Sequence, residues 1–483
     1  MKNKKIIILF TLLLSMGLFT RVTSQEPADK MVLNLQGAVD HALAFNKSLK
    51  NARLEVERSR ARNWEAISQG LPQVDGGMDY SSFFNYQMEF NFGMGGDSPF
   101  GPEDYLEAFN QTQAAYPFYT AGDLAVHGAN THYDGVLQSM LPPNFITLKD
   151  QSTAKLMVNQ LIFSGQYIVG IQTAKLAMLI SEQNLDFNEL NIKESVIGSY
   201  YLVLITEESL DIVKQNHDNL EETLAQTEIM FRTGMAEQTD VDQIRITVNQ
   251  LANATTSLQR NLELNYNLLR FQLGLETNVD IQLTDDLEML FTAMQAETAL
   301  DAPFNVEDNL TYKIMKTQEE INRKMLGLEQ WNYAPTITGF YNYNAKILTT
   351  DFDMNPNHMV GLSMGVPIFS SGMRKARVDQ AKIDYNMAQV NRDIMEDQLL
   401  LQEKQYKFNL QNSLDNFFTQ QENVEVAQRV YDSYRRKFEQ GMATSLDLTQ
   451  ANGNYLDAEN NYMTSIMEVM NAKLQLDKLM NNL

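Results

Sequence analysis

The stretch FRTGMAEQTDVDQ, Phe231 to Gln243, returns 207 positions later as FEQGMATSLDLTQ, Phe438 to Gln450, with Phe, Gly-Met-Ala, Asp and Gln in register. Each copy reads as a glycine-centred turn between two helices. Working outward, residues 165–275 lie on residues 372–482 without a gap at the same offset. LIFSG (Leu161–Gly165) and PIFSSG (Pro367–Gly372) mark the entry to the two copies, with one residue inserted. A repeat of that period belongs to a molecule of two related halves, not to a solenoid of short repeats.

The flanking helices are long. None of the eleven prolines lies between Pro143 and Pro303 or after Pro367, so no pyrrolidine ring interrupts either stretch. Leu210, Val213, His217, Leu220, Leu224, Thr227 and Phe231 step by three and four, as do Phe417, Gln420, Val424, Ala427, Tyr431, Tyr434 and Phe438. That is a coiled-coil seam of 3.5-residue period. The returning helices repeat it, from Val241 through Ile244, Val248 and Leu251, and from Leu448 through Ala451, Tyr455 and Ala458. Several seam positions are small or polar, which suits an assembly with an interior. Unbroken helices over Gly165–Arg232 and Gly372–Lys437 would each run about 100 Å.

Between the helices the period changes to two. Thr336–Asn344 alternates, and so does His358–Phe369, where Val360, Leu362, Met364, Val366 and Ile368 face one side and Met359, Gly361, Ser363 and Gly365 the other. The first half has equivalents from Pro72 through Tyr80 to Phe92 and from Thr153 to Phe163. Such alternation fits either a half-buried strand of a soluble sheet or a barrel strand in a membrane. Four strands cannot close a barrel, and lipid tolerates no open sheet edge. A membrane reading therefore requires chains to pool their strands, and three chains give twelve. The fold class expected is mainly α, with long coiled-coil helical hairpins and a membrane β-barrel portion of four strands per chain.

Composition sets further bounds. Lys2, Lys4 and Lys5 precede an apolar run from Ile6 to Phe19, and Val22-Thr23-Ser24 precedes Gln25, the pattern of a secretory signal peptide over residues 1–24. The run is shorter than the ~20 residues needed to span a bilayer as a helix. Losing Lys2, Lys4, Lys5 and Arg21 takes the formal charge from -23 to -27, which disfavours nucleic acid or anionic lipid as a partner and places the charge on solvated surfaces or along a water-filled lumen. Cysteine is absent, so the chain has no disulfide, no thiolate metal site and no sulfur to acylate. The five histidines form no HExxH motif and no supported Ser-His-Asp grouping, and there is no phosphate-binding glycine loop. His127 with His132, and Met354 with His358 and Met359, are the nearest approaches to a soft-metal site. Core-filling methionine is the better account of the latter. No catalytic residue, cofactor or metal is expected.

The chain resembles the TolC-like outer-membrane efflux protein family. The resemblance rests on Leu33-x-Leu35 with AVDHALAFNKSL (Ala38–Leu49), GLPQV (Gly70–Val74), the LIFSG and PIFSSG junctions and the two turn motifs. It covers essentially the whole mature chain. Family members usually carry Asn-Pro where this chain has Asn46-Lys47. The resemblance implies a homotrimer in the outer membrane of a Gram-negative bacterium. A twelve-stranded barrel in outer-membrane lipid would continue as an α-helical tunnel across the periplasm. It also implies two partners, a periplasmic adaptor (membrane fusion) protein and an inner-membrane transporter, in a tripartite efflux or type I secretion system. Two structural repeats, 25–275 and 305–483, would flank an equatorial connecting segment, 276–304. A structural or adhesive trimeric coiled-coil protein of the cell envelope is the alternative.

By motif position the resemblance places the periplasmic gate at Asp240 and Asp447, six residues after Gly234 and Gly441. Phe231 and Phe438 are next in line as an apolar constriction. The turns Gly234-Met235-Ala236 and Gly441-Met442-Ala443 become the helix tips on which the adaptor docks. The competing reading of the aspartates is helix capping, shared with Thr239 and Ser445. Where that family's gate has a tyrosine and further charges, this chain has Phe438, Ala443 and Gln450. One insertion stands out. The interval Pro72–Phe163 exceeds its counterpart Pro335–Phe369 by about 57 residues, an excess over about 92–149 rich in Gly, Pro and aromatics. It is expected as an extracellular surface loop, with a lid or docking site as alternatives.

Overall fold

Each long proline-free stretch folds as one unbroken helix. The computed structural model describes residues 30–84, 86–89, 102–115, 136, 145–348 and 356–483. The signal-peptide segment, His127, His132 and Met354 lie outside them. In chain order the helices are α1 (Leu35–Phe45), α2 (Lys47–Ser68), α3 (Pro102–Ala115), α4 (Gly165–Arg232), α5 (Gln238–Leu273), α6 (Leu287–Ala293), α7 (Ala296–Leu300), α8 (Leu310–Trp331), α9 (Met373–Glu439) and α10 (Ser445–Leu479). The strands are β1 (Lys30–Leu33), β2 (Gln73–Ser81), β3 (Tyr86–Glu89), β4 (Phe145–Leu148), β5 (Gln151–Phe163), β6 (Asp280–Leu283), β7 (Thr336–Leu348) and β8 (His358–Gly365). The 68 residues of α4 and 67 of α9 make each about 100 Å long.

Two compact units draw on both sequence halves. One takes the described residues up to Trp64, Val169–Glu329 and Lys375–Leu483; the other takes Glu65–Ile168 and Gln330–Arg374. The first is helical. Its largest core gathers Ala38, Val39 and Ala42 of α1 with Val196, Tyr200 and Val203 of α4, Leu410 and Phe417 of α9, and Val469 and Leu476 of α10. The segment 276–304 belongs to this core through β6, which pairs in parallel with β1, and through Leu287, Ala296 and Ala299. Tyr200 donates its hydroxyl to Asp285 at 2.9 Å, and that carboxylate also accepts the Leu35 N–H at 2.6 Å. Burial first, then the carboxylate, pushes the Tyr200 phenol well above its usual range.

A pair of asparagines shows the repeat at work. Asn46 Oδ1 accepts the N–H of Ser48 at 2.8 Å and of Leu49 at 3.3 Å, capping α2, while its Nδ2 donates to the Gln272 carbonyl at 2.7 Å. Asn309 does the same for α8, accepting from Thr311 at 2.9 Å and Tyr312 at 3.3 Å and donating to Leu479 at 2.9 Å. Each asparagine thus starts one helix and satisfies the end of a returning one. Lys47 stands at the first helical position of α2, and the cap forms without a proline there.

The second unit holds a four-stranded antiparallel sheet in the order β2-β5-β7-β8. Register assigns every strand residue to a face. One face carries Val74 and Met78, Leu156 and Val158, Ile337 and Tyr341, and Val360 and Leu362, and no Asp, Glu, Lys or Arg. The other carries Asp75, Asp79, Lys155 and Lys346 with a row of amides, Asn159, Asn342 and Asn344. Asp79 and Lys155 form an ion pair on it. Gly361 lies under the Phe340 ring, which an added Cβ would strike at 2.5 Å.

The strand expectations need three corrections. The last strand ends at Gly365, not Phe369, because its partner begins at Thr336 and Pro367 has no N–H to extend the ladder. The strand expected to run to Phe92 breaks after Ser81, where Phe84 adopts φ 50°, and resumes as β3. The insertion is not an irregular loop throughout. β3 pairs with β4 as a separate two-stranded sheet, and α3 follows within the insertion.

Candidate functional site

Both helix turns are built the same way. Gly234 has φ 76° and Gly441 has φ 70°, left-handed values that cost an L-residue roughly 1–2 kcal/mol. Space is not the constraint, since a Cβ at either glycine would meet nothing within 4 Å. The glycine N–H bonds the carbonyl three residues back, Phe231 at 3.0 Å and Phe438 at 2.8 Å. The methionine N–H reaches five residues back, Met235 to Met230 at 2.8 Å and Met442 to Lys437 at 2.7 Å. These paired bonds close the ends of α4 and α9.

The aspartates then open the next helices. Asp240 accepts the Glu237 backbone N–H at 2.9 Å, and Asp447 accepts the Thr444 N–H at 3.0 Å and its hydroxyl at 2.7 Å. The residues capping α5 and α10 are therefore Glu237 and Thr444, not Thr239 and Ser445. Each aspartate sits three residues inside its helix and reaches back. The constant spacing from Gly to Asp is the length of one helix stop joined to one helix start. Hydrogen bonds from Thr444 hold the Asp447 carboxyl below the usual carboxylate range.

Beyond capping, the two copies part company. Ser445 is buried and donates its hydroxyl to Asp240 Oδ1 at 2.6 Å, tying the second turn to the first. Asp447 points into solvent and makes no equivalent bond among the described residues. Phe438 is only 6% exposed, packed with Leu220, Ile244, Val248 and Leu448 in a tip core that draws on all four long helices, whereas Phe231 is 41% exposed. Equal in sequence, the two phenylalanines differ in environment, and Phe438 could line a constriction only by leaving that core. Met235, Met442 and Leu446 are exposed around the turns, with Ala236 and Ala443 half-buried between them. Arg245 joins Glu228 at 2.8 Å across the first hairpin.

Among the described residues, metal-type side chains come together once. His217, Asp218 and Glu221 bring ligand atoms within 4.8 Å of one another, all from α4. His358 Nδ1 lies 2.9 Å from the Tyr341 hydroxyl on the uncharged sheet face.

Comparison with known proteins agrees with this architecture. The outer membrane efflux protein family matches residues 145–275 and 318–482. Outer membrane protein TolC of Vibrio cholerae serotype O1 is 19% identical over 341 residues, covering 69% of this chain and 77% of that one. Two solved structures share the fold. The outer membrane protein VceC of Vibrio cholerae superposes with TM-score 0.66 at 15% identity, over 92% of this chain and 95% of that one. The CmeC outer membrane channel of Campylobacter jejuni does so with TM-score 0.67 at 15% identity, over 93% and 86%. With the family match spanning both turns, both long hairpins and three of the four strands of the sheet, the chain belongs to the outer membrane efflux protein family.

Proposed function

We propose that this outer-membrane efflux protein is a passive exit duct: a homotrimer whose pooled strands form a twelve-stranded barrel, continued by a periplasmic tunnel of helices. The observation that carries the reading is the sheet. One of its faces is free of Asp, Glu, Lys and Arg while all four such residues of its strands lie on the other. That segregation suits lipid outside and a water-filled lumen inside. β2 and β8 end the sheet with open edges, which in hydrocarbon must be paired by another chain. The helices supply matching support. Ile383, Met387, Val390, Ile394, Leu401 and Phe408 form an exposed stripe of heptad spacing along α9, a seam awaiting a neighbouring chain.

The duct itself makes and breaks no bonds. Work is done by an inner-membrane transporter, joined through a periplasmic adaptor that docks on the Gly234-Met235-Ala236 and Gly441-Met442-Ala443 turns. Asp240 and Asp447 narrow the closed end with up to six carboxylates, and the Ser445–Asp240 bond holds the two hairpins of each chain together at the gate. Conductance across a planar lipid bilayer tests the reading. The purified protein is expected to give discrete, cation-selective channels, and a protein that inserts but never conducts would favour an adhesive or structural role.

A further inference from the structure

Charge is not spread evenly along this acidic chain. The chain holds 38 Lys and Arg against 61 Asp and Glu. In the segments that adjoin the sheet strands along the sequence, the balance reverses. Residues 58–72, 165–179, 321–335 and 373–387, which lie next to the strands on α2, α4, α8 and α9, hold ten Lys and Arg against four Asp and Glu. Some of these cations are spoken for, since Arg60 pairs with Glu182 at 3.1 Å and Arg323 with Glu320 at 2.6 Å. Arg62, Lys375 and Arg377 are different. All three are exposed and have no carboxylate partner among the described residues.

Their neighbours in sequence are exposed and apolar. Trp64, two residues after Arg62, is 62% exposed. Ile368 is 92% and Phe369 83% exposed, just before α9 begins. Exposed apolar and aromatic residues within a few positions of unpaired cations mark the boundary between hydrocarbon and headgroups. At 1.5 Å per residue, Lys375 and Arg377 lie within about 10 Å of the start of α9, close to one Debye length.

We infer that Arg62, beside Trp64 on α2, and Lys375 with Arg377, in the first turns of α9, bind the phosphate headgroups of anionic glycerophospholipids in the periplasmic leaflet of the outer membrane. This rests on the reading that the sheet spans that membrane. A cationic collar, three residues from each chain, fixes the depth of the barrel by charge. Guanidinium groups at Arg62 and Arg377 offer forked donors for phosphate oxygens, and Lys375 adds a point charge.

The test is native mass spectrometry of the full-length mature protein released from nanodiscs of phosphatidylethanolamine mixed with phosphatidylglycerol. The wild type is expected to retain phosphatidylglycerol in preference, and Arg62→Gln with Lys375→Gln and Arg377→Gln to lose about fivefold of that preference for each cation removed. Its thermal midpoint in phosphatidylethanolamine alone should match the wild type. If the triple variant does not assemble, the pair Lys375→Gln and Arg377→Gln, in the exposed first turns of one helix, gives the same readout. A wild type that retains both lipids equally, or a variant that keeps its preference, overturns the inference. Displacement of the lipid by inorganic phosphate at equal concentration would overturn the lipid assignment. Failure to enter nanodiscs at all would instead count against the membrane reading of the sheet.

Discussion

Asp240 and Asp447 each have two tasks that an alanine substitution would remove together: the carboxylate accepts a backbone N–H at a helix start, and it carries a charge. Asparagine separates them, because it keeps one acceptor oxygen and loses the charge. For Asp240→Asn with Asp447→Asn, the expected outcome is a thermal midpoint close to wild type, a changed single-channel conductance and loss of block by multivalent cations. Block and selectivity that survive unchanged would make the aspartates caps only, leaving exposed Phe231 as the candidate constriction. The pH dependence has a defined sign. The Asp447 carboxyl is held below its ordinary value by Thr444, so its contribution is present above the unfolded pKa of about 3.9 and is lost only as pH falls through the lower folded value. The stability that charged Asp447 gives the single chain should therefore be flat from neutral pH down to about 4, read as the thermal midpoint. The asparagine clamps give an independent prediction. Asn46→Ala or Asn309→Ala removes a cap and leaves a carbonyl of Gln272 or Leu479 without its donor, costing about 1–3 kcal/mol each. A lowered midpoint for trimer dissociation would show it.

Among the elements, the helices were readable from sequence to within two residues at their tips, because proline-free runs and a 3.5-residue seam leave the chain few other choices. The glycine turns were readable for the same reason: a left-handed stop needs Gly, and a helix start needs an acceptor. What the sequence hid was asymmetry. Nothing in the repeat says that Phe438 is buried and Phe231 open, since that depends on how the two hairpins pack. The repeat also conceals Asn309 as the counterpart of Asn46, because it lies outside the gap-free alignment of the two copies. Alternation outlasts the ladder at Val366 and Ile368 beyond Gly365, so period alone does not mark the strand end. The insertion between β2 and β5 can now be tested cleanly. Removing residues 84–148 leaves Ser82, Phe83, Lys149 and Asp150 as a turn between the paired residues Ser81 and Gln151. The bonds from Tyr80 at 2.8 Å and Ser82 at 2.6 Å to Asp150 remain to hold it. Closing so short a loop costs little. The shortened protein is expected to form trimers with unchanged conductance; a rise in conductance would identify the insertion as a lid, and loss of trimers would show that it helps to join the chains.

At the scale of the molecule, a single chain is an incomplete object. Its sheet ends at β2 on one side and β8 on the other, each with a row of unpaired backbone groups, and every such group left unpaired in hydrocarbon costs several kcal/mol. β8 also presents Val360, Leu362 and Met364 as a largely exposed apolar row. Water would not tolerate that surface without aggregation. Lipid would accept the side chains but not the edges, and the proposed closure by further copies would satisfy both. The exposed stripe along α9 makes the same demand on the helical unit. Two separate surfaces requiring the same neighbour leave the folded monomer without a stable environment. The mature protein is therefore expected as a trimer in detergent, with no stable folded monomer on dilution, and native mass measurement is the check. Placing charge in the stripe, as in Met387→Glu with Ile394→Glu, should dissociate the trimer and unfold the sheet with it. A stable folded monomer, or a barrel closed by one chain, would refute the shared-barrel architecture.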